Sequence, residues 1–216
     1  MTTRLLVLGA GGFARETLDV VEALEMARPG SFTVVGVLDD APSPGARALL
    51  GDRGVEVVGS VESFLAGAVD IEHDAFVIAI GHPGARSRIA ENAPAGAVPS
   101  VPLVHPTASL GSAVTLGAGT VVCAGAVLST NVTVGPHGHV NPNATIGHDA
   151  QLGTAVSVNP SAVVSGAVVV GDAVLLGAAS VVLQGLTIGA GAVVGAAACV
   201  TKDVAERTTV VGVPAR

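Results

Sequence analysis

The stretch Val134-Gly135-Pro136-His137-Gly138-His139-Val140-Asn141-Pro142-Asn143-Ala144-Thr145-Ile146-Gly147-His148-Asp149-Ala150-Gln151-Leu152-Gly153 returns to an aliphatic residue at every sixth position. Followed outward, the same step runs from Val104 to Val200 through seventeen positions, every one Val, Leu or Ile, without an insertion. A period of six keeps no face of an α-helix, and the Gly and Val load opposes one.

The residue after the aliphatic position is often Gly (Gly111, Gly117, Gly135, Gly147, Gly153, Gly171, Gly177, Gly189, Gly195) or Asn (Asn141, Asn159). Both tolerate positive φ, so that position is expected to turn the chain. Two residues before it, small side chains recur, as at Ala108, Thr120, Ala126, Ala144, Ala162 and Ser180. A large inward residue, a corner and a small inward residue describe a short strand and a bend. Three such units make a triangular coil of 18 residues, and the seventeen hexads make just under six coils of a parallel β-helix. Parallel strands lie about 4.8 Å apart, so residues 18 apart stack directly.

Composition agrees with a narrow, regular interior. Half of the 216 residues are apolar, yet there is no Trp or Tyr and only four Phe. Charged residues are 12%, against roughly 25% in ordinary domains. That scarcity points to surface covered by other chains. A net charge of −7 opposes general nucleic-acid binding, which needs a basic footprint. The short run Leu5-Leu6-Val7-Leu8 leads straight into a glycine turn, unlike a signal peptide. No Gly-free apolar stretch has the length of a membrane span. Two cysteines, Cys123 and Cys199, are too few for a disulfide framework, and a cytoplasmic setting is expected.

Between Val104 and Val200 only Asp149 and Asp172 are charged. Asp149 follows His148, and a carboxylate beside an imidazole helps fix its tautomer for proton exchange. Adding 18 to 148 gives Gly166, one coil on at the same corner, whose N–H can face a developing oxyanion. Asp172, after Gly171, reads as a solvated turn residue. His73, His82, His105, His137 and His139 read as structural.

The first half alternates strand and helix: a buried strand over 4–8, Gly9-Ala10-Gly11-Gly12-Phe13-Ala14 and a helix to about Met26, then strands over Thr33–Leu38, Val55–Val58 and Ala75–Ile80, with a helical turn over Val61–Leu65. This pattern predicts a Rossmann-like parallel sheet with ligands at the strand C-termini. Gly9-x-Gly11-x-x-Ala14 fits a dinucleotide fingerprint, but some 100 residues leave no room for a second mononucleotide unit. The Pro-, Ala- and Gly-rich stretch 94–102 joins the two parts. We expect an α/β nucleotide-sugar-binding domain over 1–102 and a β-helix domain over 103–216.

The segment His139 to Asp149 resembles the active-site segment of the sialic-acid O-acetyltransferase and bacterial nucleotide-amino-sugar N-acetyltransferase family. Val200-Thr201-Lys202-Asp203-Val204 and Val210-Val211-Gly212-Val213-Pro214-Ala215-Arg216 resemble the closing segment of hexapeptide-repeat acyltransferases. The resemblance covers nearly the whole chain. It implies a left-handed β-helix, a homotrimer with sites between neighbouring β-helices, and acetyl-CoA as co-substrate without a metal. His148 would be the general base, Asp149 its acidic neighbour, Gly166 the oxyanion donor and Asn141 a site asparagine. Gly166, Gly195, Val211, Gly212 and Pro214 would border the acetyl-CoA groove. Gly11, Gly12, Phe13, Asp39, Asp40 and Gly81 would line a nucleotide-sugar site, typically for a UDP-linked sugar.

Two positions depart from the family pattern. Ser157 stands where relatives carry a second histidine nine residues after the base, and it is given no role. Phe13 stands where relatives often have histidine. The function expected is acetyl transfer from acetyl-CoA to a nucleotide-linked amino sugar by direct attack. Alternatives are O-acetylation of a sialic-acid-type sugar, a metal-dependent β-helical hydratase and a non-catalytic scaffold. For the hydratase, the spacings of His137, His139 and His148 fit poorly.

Overall fold

The computed structural model describes residues 2–216. Its first part runs β1 (Thr3–Leu8), α1 (Gly12–Ala27), β2 (Phe32–Leu38), α2 (Pro44–Gly51), β3 (Val57–Gly59), α3 (Val61–Leu65), β4 (Ala75–Ile78) and α4 (Pro83–Glu91). The four strands are all parallel, in the order β3-β2-β1-β4. Leu5, Leu6, Val7 and Leu8 are wholly buried, as a continuous apolar run in a sheet covered on both faces requires.

Helices α2 and α4 do not emerge from apolar spacing, because each buries few apolar residues. Their signal is local: a proline in the first turn, after Ser43 or His82, whose side chains accept the Ala46 and Ala85 N–H groups. The fourth strand stops at Ile78 rather than Ile80. The joining stretch runs alongside β4, with Phe76 N–H donating to Val98 O and Ser100 N–H to Phe76 O.

From Leu103 onward the chain forms eighteen two-residue strands. They stack into three parallel sheets of seven, six and five strands, the three faces of a left-handed β-helix. The first face holds His139–Val140 and Ser157–Val158, the second Thr145–Ile146 and Val163–Val164, the third Gln151–Leu152 and Val169–Val170. The 18-residue register holds throughout, as in Ile146 opposite Val164. The repeated aliphatic side chains and the small residues two places before them fill the interior, Val140, Ala144, Ile146 and Ala162 among them at 0% exposure. The repeat also continues past Val200, with one coil shortened by two residues: Val204 bridges Ile188 and Val210 pairs with Val194.

One expectation is corrected. The left-handed backbone lies two places beyond the repeated glycine, at residues such as Asn131, His137, Asn143, Asp149 and Ala155, all with φ between 55° and 61°. The glycine itself answers to crowding between coils. A Cβ at Gly147 would lie 2.6 Å from Gly166 N and 2.7 Å from Ser165 C.

The α/β unit sits on the first face. Leu103, Val121 and Cys123 share its core cluster with Leu5, Val7 and Leu18. His139 and Ser157, outward-facing on the same sheet, are buried, whereas Thr133 and Thr145 on the other faces are exposed. Among the described residues no helix is long and apolar enough to cross a membrane.

Candidate active site

The corner between the second and third faces carries His148. It follows Thr145–Ile146 and precedes Asp149, whose positive φ (61°) turns the chain into the third face. The turn leaves both side chains in solvent, 62% exposed for His148 and 52% for Asp149. His148 Nδ1 lies 2.7 Å from Asp149 Oδ2. A carboxylate accepts, so Nδ1 carries the proton and Nε2 is left with a free lone pair in the neutral ring. Asp149 is itself held: Asn131 Nδ2 donates to its Oδ1 at 3.1 Å. The His148 and Asn131 bonds draw the Asp149 carboxyl below its ordinary range, so it stays ionised at neutral pH.

Gly166 lies over the ring. A Cβ placed on it would be 2.5 Å from His148 Nε2 and 2.6 Å from Cε1. Its N–H donates to no acceptor among the described residues, while its carbonyl takes the Gly185 N–H. The corner thus offers a proton acceptor and a free backbone donor side by side, which acyl transfer through an oxyanion requires. Asn131 lies 18 residues before Asp149, one coil back at the same corner, as Gly166 lies one coil beyond His148.

Asn141 is brought elsewhere. It lies at the corner between the first and second faces and donates through Nδ2 to Val158 O (3.1 Å) and Asn159 Oδ1 (3.2 Å). Within one chain it does not meet His148. Gly195 and Val211 occupy that same corner, where a Cβ on Gly195 would lie 2.8 Å from Val211 Cγ1. Gly212 O accepts the Cys199 N–H, which folds the closing segment containing Pro214 over the second face. Gly166 therefore stands one face away from the other candidate cofactor residues. His137, His139 and His148 lie on three different sites of the coil and do not converge. Asp172 is an exposed turn residue whose Oδ1 accepts the Thr154 N–H.

The candidate nucleotide residues gather at the C-terminal edge of the α/β sheet. Gly11 is the N-cap of α1, whose first turn has no side-chain cap. Asp39 accepts Ala10 N–H through Oδ2 (2.8 Å) and Ala41 N–H through Oδ1 (2.9 Å), so it shapes the glycine turn. Asp40 Oδ1 accepts the Glu62 N–H. Gly81 is exposed and follows β4. Phe13, in the first turn of α1, stacks on His139 of the first face, with centroids 3.9 Å apart and planes at 20°. His139 Nε2 donates to Ile78 O at 3.0 Å.

Arg86, from α4, is wholly buried against the β-helix. Sequence patterning missed it, because an arginine in a short polar helix ordinarily reads as solvated.

Burial, reinforced by Arg86, pushes His137 below its usual pKa and His139 well below it. Both are neutral in the fold near neutral pH. In the unfolded chain they take up protons below about pH 6.5, so stability falls as pH drops through that value. The loss is larger for His139, whose pKa is held further down. The lowered carboxyls of Glu25, Asp74 and Asp149 enter only below about pH 4.5. Melting temperature should therefore fall between pH 7 and 5.5, and His139→Phe, which keeps an aromatic partner for Phe13, should flatten that fall. An unchanged slope in the variant would reassign the acid sensitivity.

Comparison with known proteins agrees with this geometry. Residues 4–93 match the PglD N-terminal domain family. No curated protein matches the sequence. Among solved structures, the acetyltransferase domain of PglB from Neisseria gonorrhoeae is 29% identical with a TM-score of 0.85, over 100% of this chain and 99% of that one. It has also been solved with acetyl coenzyme A. A point mutant of perosamine N-acetyltransferase from Caulobacter crescentus, with CoA and GDP-perosamine bound, is 27% identical with a TM-score of 0.85, over 99% of this chain and 95% of that one. WeeI from Acinetobacter baumannii is 28% identical with a TM-score of 0.82, over 100% and 99%. With a PglD-type α/β unit docked on a β-helix that carries a His-Asp corner, the chain is similar over its whole length to the PglB acetyltransferase domain and to perosamine N-acetyltransferase.

Proposed function

We propose that the protein transfers the acetyl group of acetyl-CoA to the amino group of a nucleotide-linked sugar. The observation that carries the reading is the His148–Asp149 pair under the bare Gly166 N–H. His148 Nε2 takes a proton as the amine attacks the thioester carbonyl, and Asp149 stabilises the imidazolium through Nδ1. The Gly166 N–H donates to the oxyanion, whose collapse expels the CoA thiolate. The uncapped first turn of α1 suits the nucleotide diphosphate, because free N–H groups at a helix N-terminus favour anions.

The base and the nucleotide edge belong to different sides of one chain. The α/β unit covers the first face, while His148 lies on the corner opposite to it. We therefore read the enzyme as a homotrimer in which one chain's nucleotide site meets a neighbour's His148. The nearly uncharged β-helix surface supports burial between chains. Two unpaired thiols, Cys123 and Cys199, suit a reducing cytoplasm.

The deciding experiment follows thiol release from acetyl-CoA over UDP-, GDP- and dTDP-linked amino sugars, with product stability to hydroxylamine. Release with a hydroxylamine-stable product is expected. A labile product would mean O-acetylation, and no release with any sugar would remove the activity.

Asp39→Ala should raise the nucleotide-sugar KM about ten- to a hundredfold, the worth of a charged hydrogen bond. The acetyl-CoA KM should stay nearly constant. Asp39 both offers acceptor oxygens at the nucleotide edge and holds the Ala10 N–H. Equal rises in both constants would instead indicate general destabilisation.

A further inference from the structure

The guanidinium of Arg86 is 0% exposed and has no carboxylate partner among the described residues. Nε donates to His137 O (3.0 Å), Nη1 to Ile80 O (2.8 Å) and Gly81 O (3.1 Å), and Nη2 to Ala155 O (2.8 Å), Val156 O (3.2 Å) and Ser157 Oγ (2.8 Å). Ser157 Oγ in turn donates to Gly81 O at 3.3 Å. Burial draws the group down to about 9, so it remains a cation at neutral pH. A buried cation without a counter-ion is a poor source of stability, since desolvation opposes it. A planar fork with fixed donor directions does something else well: it sets orientation.

The acceptors belong to two bodies. Ile80 and Gly81 form the turn after β4, at the nucleotide edge, whereas the other four belong to two successive coils of the β-helix. The Phe13–His139 stack is a second pin, from the glycine turn. His139 and Ser157 are paired neighbours on the first face. Both turns that border the nucleotide edge are thus fastened to adjacent places on one sheet.

We propose that Arg86, with Ser157 as its bracket, is a positioning residue that sets the orientation of the nucleotide-binding turns on the β-helix. It thereby delivers the sugar amine at the right distance to the acetyl-transfer corner of the neighbouring chain. The inference rests on the acetyltransferase reading given above. Nucleotide contacts lie within the α/β unit, so loosening its seat should spare binding and harm the approach of the amine. A misplacement of 1 Å at a reacting centre costs about a hundredfold in rate.

The test compares wild type, Arg86→Lys and Ser157→Ala. Three readouts are needed: kcat for the amino sugar, KM for acetyl-CoA, and calorimetric affinity for whichever of UDP, GDP or dTDP inhibits wild type. Lysine keeps the charge but has three donors on one nitrogen, too few to serve the six acceptors of the fork. Arg86→Lys should lower kcat about 10- to 100-fold, with diphosphate affinity and acetyl-CoA KM within about twofold of wild type. Ser157→Ala should lower kcat in the same way by about three- to tenfold. A folded Arg86→Lys protein with wild-type kcat overturns the proposal. So does a kcat loss matched by an equal loss of diphosphate affinity, which would make Arg86 part of the pocket itself. If Arg86→Lys does not fold, Ser157→Ala decides on the same readouts, and unchanged kcat overturns it. Wild-type turnover checks the acetyltransferase reading separately. Its absence removes both, because a positioning role requires a reaction.

Discussion

Replacing His148 by alanine is expected to lower kcat by about 10²–10⁴, the usual contribution of a positioned general base, while leaving the fold intact. The side chain is mostly exposed and fills no part of the core, so its loss opens no cavity. The backbone that makes the corner is held independently: Asp149 N–H donates to Thr130 O and Ala167 N–H to His148 O. Acetyl-CoA affinity should be little changed, since the imidazole acts on the amine. Wild-type turnover in the folded variant would move the base elsewhere. Asp149→Asn should be milder, because it weakens the grip on Nδ1 without removing Nε2. Circular dichroism alongside steady-state rates separates loss of chemistry from loss of fold.

Gly166→Ala is expected to cost about 10- to 100-fold in kcat although it adds a single methyl group. The new Cβ would come within 2.5 Å of His148 Nε2 and 3.0 Å of Cδ2, so something must move. Gly166 has no positive φ to preserve, and the exposed imidazole is more easily displaced than the stacked backbone. Swinging the ring away breaks its bond to Asp149 and removes Nε2 from the amine, and an ångström at a reacting centre is worth about a hundredfold. The melting temperature should stay close to wild type. A variant with normal kcat would show that the ring works from another rotamer and that this glycine is not needed for chemistry. Gly147→Ala provides the contrast. Its Cβ would strike the backbone of the next coil at Ser165 and Gly166, so there the loss should appear in stability.

Much of this site could be found by counting. In a β-helix every coil repeats the backbone of the one before, so spatial neighbours are separated by a constant number of residues. Stepping by 18 joins His148 to Gly166 and Asp149 to Asn131, and predicts Ile146 opposite Val164, without knowledge of any coordinate. The same periodicity hid the role of the repeated glycine. Positive φ and close approach both favour glycine, and only the coordinates separate crowding at Gly147 from the turn at Asp149.

What the amino-acid sequence determined by itself was the solenoid, its register and the His-Asp corner, because these depend on local repeats and a fixed offset. Only the tertiary structure decided how the α/β unit is seated, since the Arg86 hydrogen bonds to the β-helix join residues 51 to 71 positions apart that share no period. Arg86 in a short helix, Phe13 in a glycine turn and Ser157 on a strand show nothing in sequence of their meeting. That seating buries one face of the prism and leaves the His148–Asp149 corner in solvent on the side away from it.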